Sequence, residues 1–223
     1  SSVFVNLTPA DPDVPPELTT DADGSTRFAK YLPVDRGFVN IIEDYPYPYV
    51  IDGLCWEFPC IVPSDWSAQH HHGVNNPATV EDWKAALDAI VIKKGVFTLV
   101  FHPHGWIKAE QIIELIDHAV TKHGKKVKFL SFREADERLR THLLNGQALR
   151  NEEGGDNGVR VVDANDDGYM DVAFTKSGAP VTRVWSPKTG AWTEKSGRVP
   201  LAKSDPYAAH LNDLKKHGVQ LPA

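Results

Sequence analysis

Residues able to do acid–base or metal chemistry gather in three stretches. His102 and His104 follow directly on the apolar run 97–101, split by Pro103, with Trp106 close behind. Asp65-Trp66 follows a second apolar stretch, LCWEFPCIV at 54–62. Asp163, Asn165, Asp167 and Asp171 fall at alternate positions around Gly168 and Tyr169. Histidine is the side chain best suited to move protons near neutral pH, and an aspartate beside it would orient the ring. Asp65 and His102 are therefore a candidate proton-transfer pair. The plainer alternative is a histidine that ends a strand and bonds a backbone carbonyl. The third stretch has the donor set of a calcium loop: hard oxygens at alternate positions, a glycine for the sharp turn, and the Tyr169 carbonyl as a further ligand. It is not an EF-hand, because Phe174 holds the twelfth position where that loop has glutamate.

These residues need elements to carry them. The chain has 223 residues, 41% hydrophobic, which is a globular composition. Residues 1–50 are rich in proline and aspartate and are expected to form an irregular segment packed on the body. Within them YPYPYV, 45–50, reads as rings packed on the body, with a sugar-stacking rim as the sharper reading. Residues 51–150 have α/β rhythm. LCWEFPCIV is strand-like, with Pro59 marking an edge or bulge. A polar loop then spans 63–78 and includes His70-His71-His72. Adjacent imidazoles do not easily aim at one ion, so that block reads as loop. Thr79 is expected to cap a helix carrying Trp83, Ala86, Leu87, Ile90 and Val91 inward and ending at Gly95. Residues 97–101 form the next strand, apolar throughout as a strand covered on both faces must be. A helix over 109–123 faces Ile112, Ile113, Ile116 and Val120 inward. Residues 127–132 form another strand, and a third helix carries Leu139, Leu143 and Leu144. This order predicts parallel strands with right-handed crossovers. Sites in such folds gather at the carboxyl ends of strands, which puts Asp65 and His102 on one rim.

Residues 151–200 are expected to form a small β segment around the calcium loop, with a hairpin at Lys188-Thr189-Gly190. Residues 201–223 form a tail with a short docking helix. The net charge of −6 argues against nucleic acid as a partner. No apolar run is long enough for a membrane span. Cys55 and Cys60 fit either one disulfide or two thiols. The start SSVFVNLTP lacks an initiator methionine, so a mature or excised segment is expected.

PSDW, the following helix, GVFTLVFHPHGW and VKFLSFREADERL together resemble the closing half of a NodB-type polysaccharide deacetylase. Asp65-Trp66 matches the family's Asp-Trp motif, Leu99-Val100-Phe101-His102 its Leu-x-x-His motif, and Phe129-Leu130-Ser131-Phe132 its final strand. The resemblance covers residues 36–145. It implies an α/β fold: a partial (β/α) deacetylase-type barrel, here with a small C-terminal β segment carrying a calcium loop. It implies removal of acetyl or related acyl groups from a carbohydrate substrate. His102 would be the general acid and Asp65 would hold its ring. Trp66 would wall the acyl pocket, and His104 and Trp106 would line the substrate rim. The family's base and metal ligands, a paired-aspartate strand and an H-x-x-x-H loop, are not seen upstream of Asp65. A catalytic divalent metal such as Zn²⁺ would need ligands from another segment, either the rest of a longer polypeptide or another chain. Strand, calcium loop, strand and hairpin resemble one FG-GAP-type β-propeller blade, with Asp163, Asn165, Asp167, Tyr169 and Asp171 as ligands of a structural Ca²⁺. Both resemblances imply a secreted or periplasmic setting, in which a Cys55–Cys60 disulfide could form. The alternative reading is a non-catalytic, calcium-stabilised extracellular carbohydrate-binding or adhesion fragment, or a purely structural segment of a large extracellular protein.

Overall fold

The computed structural model describes residues 3–176 and 178–197. The fold is mixed α/β, with several sheets and, among the described residues, no closed barrel. The chain divides into two compact units. One comprises the chain up to Pro46 with Phe58–Lys128; the other comprises Tyr47–Glu57 and the chain from Phe129 onward.

The first unit is built on a parallel three-stranded sheet of order β2-β1-β5, from β1 (Val3–Asn6), β2 (Asn40–Glu43) and β5 (Cys60–Ile61). The central strand β1 is VFVN, all four residues buried. The first 50 residues are thus not wholly irregular: their two ends supply sheet, because short apolar runs flank the proline-rich middle. That middle holds only the short helices α1 (Pro16–Thr19) and α2 (Leu32–Asp35) and a 3-10 turn. The other two strands of this half of the chain, β3 (Tyr49–Ile51) and β4 (Cys55–Glu57), pair as an antiparallel hairpin in the second unit. Pro59 ends β4, so the stretch 54–62 is two short strands and not one. Tyr45, Tyr47 and Tyr49 are buried, so these rings are packing groups and not a sugar-stacking rim.

The segment 63–78, expected as loop, contains helix α3 (Asp65–His72). Ser64 is its N-cap, its hydroxyl accepting from the Ser67 N–H at 3.1 Å, and Gly73 ends it at φ 83°. Helix α4 (Pro77–Lys93) starts earlier than Thr79: Asn76 is the cap, accepting from Ala78 N–H at 2.9 Å, and Pro77 takes the first helical position. Trp83, fully buried, donates its indole N–H to the Pro63 carbonyl at 2.8 Å. With Val80, Ala86 and Ile90 it carries α4 onto the sheet and the neighbouring helix.

The C-terminus of α4 uses Gly95 in an unexpected way. The left-handed residue is Lys94, at φ 55°. Gly95 is needed for space, because a Cβ there would lie 2.5 Å from the Pro46 carbonyl oxygen. Gly95→Ala is therefore expected to destabilise the fold by about 1–3 kcal/mol. Lys94→Gly is expected to stabilise it by about 1 kcal/mol by relieving the left-handed side chain. Urea midpoints of the two variants check both signs.

Residues 96–101 run along the free edge of β5 but do not form a regular strand. Ile61 N–H donates to Thr98 O at 2.9 Å and Asp65 N–H to Val100 O at 3.3 Å. Phe97, Leu99 and Val100 still pack on the core.

Helix α5 (Ala109–His118) passes into a π-helical turn, Ala119–His123. Its inward residues are Gln111, Leu115 and Ala119, with Ile112 partly buried. Ile113, Ile116 and Val120 face out, 55%, 41% and 54% exposed, so the inward stripe is rotated from the expected one.

Residues 127–132, along which the chain passes from the first unit into the second, are not a strand. Ser131 is the N-cap of α6 (Phe132–Arg138) in a reciprocal box with Glu134, whose carboxylate accepts from Ser131 N–H at 2.7 Å. A π turn, Leu139–Leu143, follows, with Leu143 and Leu144 buried. The expected C-terminal β segment is a four-stranded antiparallel meander: β6 (Arg160–Val162), β7 (Asp171–Lys176), β8 (Ala179–Ser186) and β9 (Ala191–Ser196). Trp185 and Trp192 pair across β8–β9 at 5.2 Å between ring centroids. The tail expected to form a docking helix lies outside the described residues. Among the described residues no helix is long and apolar enough to cross a membrane.

Candidate functional site

Asp65 and His102 meet. Asp65 is the first residue of α3 and is fully buried. Its Oδ1 lies 2.8 Å from Nδ1 of His102, and its Oδ2 accepts the His102 backbone N–H at 2.5 Å. One carboxylate thus clamps both the main chain and the ring of the same residue. The bond from Asp65 N–H to Val100 O sets the helix start level with the end of the extended segment. A strand-end histidine bonded to a backbone carbonyl does not describe His102, because its ring partner is the carboxylate. With Nδ1 donating to Asp65, Nε2 is the nitrogen left to exchange a proton. The His102 side chain is 41% exposed, so the ring is not sealed from solvent.

Two further rings stand around it. His104 lies 5.8 Å from His102 at an interplanar angle of 17°, and Trp106 lies 5.2 Å from His102 and 4.9 Å from His104. Gly105, at φ 77°, lets the chain turn between them. The Trp106 carbonyl accepts Asn75 N–H at 2.8 Å, tying this loop to the α3–α4 connection. Trp66, half-buried, packs edge-on against Phe38 at 4.4 Å and His70 at 4.6 Å.

Behind the α3 start sits a second acid, Asp35, which sequence reasoning passed over. It is 3% exposed, accepts from the Ser64 hydroxyl at 3.3 Å, and its Oδ2 meets no hydrogen-bond partner among the described residues. Burial pushes its carboxyl up to about 6. The folded value exceeds the unfolded one, so the native state holds the extra proton between about pH 4 and 6, and stability falls as pH rises through that window. Asp35→Asn is expected to remove this fall. At pH 7.5 the variant should be more stable by about 1–3 kcal/mol, and at pH 4 nearly unchanged. Denaturant titrations at the two pH values measure it.

The block His70-His71-His72 lies in the last turn of α3. His72 Nε2 is 2.7 Å from the Tyr31 hydroxyl, which donates to Asp82 at 2.5 Å. Burial, with His71 and Lys30 nearby, holds the His72 imidazole below its ordinary value. Arg27 and Lys30 pair with the same Asp82, at 2.9 Å each. This is a buried polar network that fastens α3 and α4 to the N-terminal segment.

In the 163–171 loop, Asp163 and Asp171 are buried. Asp163 accepts from the backbone N–H groups of Asp167 at 3.0 Å and Gly168 at 2.7 Å. Asp171 accepts from those of Ala164 at 3.0 Å and Trp185 at 2.7 Å. Burial, with Asp167 and Asp163 adding, pushes the Asp171 carboxyl up to about 6. Asp167 takes Tyr169 N–H at 3.0 Å and the Asn165 amide at 2.9 Å. The Tyr169 ring is buried and lies 6.3 Å from that of Tyr47. The Asp163 and Asp171 carboxylates are thus turned onto backbone N–H groups. Cys55 and Cys60 are not joined in a disulfide; the first is exposed and the second buried.

A cluster that sequence reasoning missed joins Asp88, His118 and His123. Among the described residues it is where three candidate ligand atoms come within 4.8 Å of one another. Burial opposes ionisation of Asp88, but hydrogen bonds from Lys122, His118 and His123 leave its carboxyl below the ordinary value. No family model, curated protein or solved structure gives a match to the chain.

Proposed function

We propose that this chain carries the general-acid side of a carbohydrate deacylase, as a partial (β/α) barrel of the polysaccharide deacetylase type or the C-terminal portion of one. The observation that supports this reading is the fully buried Asp65 holding Nδ1 of the half-exposed His102. In the proposed reaction His102 Nε2 gives its proton to the departing sugar oxygen or nitrogen. Asp65 keeps the ring fixed and stabilises the imidazolium before transfer. His104 and Trp106 offer flat faces at the rim for a sugar ring.

The residues around Asp65 and His102 do not fit a catalytic metal. The one three-ligand cluster among the described residues contains neither of them. The base and any Lewis acid therefore belong, in this reading, to another segment or chain. The outward stripe of Ile113, Ile116 and Val120 on α5 and its π turn is apolar surface that such a segment could cover. The meander β6–β9 supports an FG-GAP-like blade with a structural calcium loop, and a secreted or periplasmic setting goes with it.

The test is acetate release from an acetylated sugar oligomer, with and without added Zn²⁺. Release supports the deacylase. Sugar binding without release supports the second reading, a calcium-stabilised extracellular carbohydrate-binding fragment, which the rim of exposed His104 and half-buried Trp106 also favours. Neither binding nor release overturns both.

A further inference from the structure

We propose that Asp88, His118 and His123 form a site for a divalent transition-metal ion of the zinc class. Asp88 sits on α4 and is 6% exposed. Its Oδ1 lies 2.8 Å from His118 Nε2 and 2.6 Å from His123 Nε2. The two rings meet edge-on at 6.0 Å between centroids, their side chains 21% and 11% exposed. One carboxylate oxygen facing two imidazole nitrogens is the donor set of such an ion, with a fourth position left for water.

The backbone explains how two histidines five apart share a target. On an α-helix, residues five apart point away from each other, at about 100° per residue. The π turn at Ala119–His123 closes i→i+5 bonds and brings both onto one side. This irregularity has an evident use if both rings must converge on Asp88.

The site is separate from the Asp65–His102 rim. The α4 start is tied to the rim loop through Asn75 and Trp106. Asp88 lies twelve residues beyond Asn76, about 18 Å along the helix. The cluster therefore sits toward the amino ends of the parallel strands, away from the His102 end.

Two features set the affinity. A tetrahedral ion with bonds of about 2.0–2.2 Å spaces its ligand atoms roughly 3.3–3.5 Å apart. The three atoms must spread by about half an ångström or more, and both rings must carry their proton on Nδ1. Lys122 is the opposing feature: its ammonium lies 2.8 Å from Asp88 Oδ2. It leaves Oδ1 to the ion but repels it. At 54% exposure the Lys122 side chain has room to swing away.

Metal-stripped protein titrated with ZnCl₂ in a calorimeter is expected to bind one ion in the micromolar range at pH 7.5. Zinc at about 100 times Kd is expected to raise Tm by about 5–10 °C. Co²⁺ at the same site should give visible bands of a four-coordinate ion. His118→Ala and His123→Ala should each weaken binding at least about 100-fold. Lys122→Ala should tighten it several-fold, which a purely salt-bridged cluster does not predict. His102→Ala and Asp163→Ala should leave it unchanged, so this result is independent of the deacylase and calcium readings. Should the alanine variants fail to fold, His123→Cys offers a thiolate ligand and should add a sulfur-to-cobalt charge-transfer band. No saturable uptake at about 100 μM Zn²⁺, or uptake that survives His118→Ala and His123→Ala, overturns the site.

Discussion

His102→Ala is expected to lower acetate release from an acetylated sugar oligomer by about 10²–10⁴-fold, with substrate binding largely retained. The reason is positional. Nδ1 is committed to Asp65, so the proton available to a leaving group is on Nε2. His104 stacks nearby but no carboxylate bond to it accompanies the stacking. Its replacement by alanine should cost far less in kcat. Asp65→Asn preserves shape yet removes the charge that holds Nδ1–H, and it should lower kcat by at least about tenfold. Circular dichroism of Asp65→Asn separates lost chemistry from lost fold, because Asp65 also binds the His102 main chain. An unchanged rate in His102→Ala would show that a different group donates the proton.

Millimolar Ca²⁺ is expected to raise Tm by about 5–10 °C, and Asp163→Ala to abolish that rise. Asp163 and Asp171 are buried carboxylates in one turn, and the nearby Asp167 and Asp163 charges add to the burial that pushes the Asp171 carboxyl up. A bound hard ion would offset these charges. Gly168, at φ 76°, occupies the turn position where such loops need glycine. Asp163→Ala also loses two backbone hydrogen bonds, so it lowers Tm even without calcium. Asn165→Ala is the gentler control, since Asn165 is exposed and bonds only to Asp167 within the loop. A Tm indifferent to calcium, in a protein that keeps its meander, would remove the ion from this loop.

Much of the architecture was legible because it rests on local rules. The meander β6–β9 follows from alternating strands and turn glycines, and the inner face of α4 from Trp83, Ala86, Leu87 and Ile90 at helical spacing. Two misreadings share one cause. Residues 97–101 and 127–132 look like strands by composition, but a strand exists only where a neighbour supplies its hydrogen bonds. The first finds two such bonds to the β5 side, and the second yields to the Ser131–Glu134 cap. The three histidines 70–72 looked like loop because polar residues dominate there, yet Ser64 and Gly73 bracket a helix.

By itself the sequence determined which side chains could do acid–base chemistry or offer oxygens to a hard cation: those identities do not depend on long-range packing. Only the tertiary structure decided that the Asp65 carboxylate reaches both the ring and the backbone of His102 across 37 residues, and that a π turn aims His118 and His123 at Asp88. Both depend on distances between segments remote in the chain and on a helical phase that one extra residue per turn alters. A one-dimensional pattern holds neither quantity.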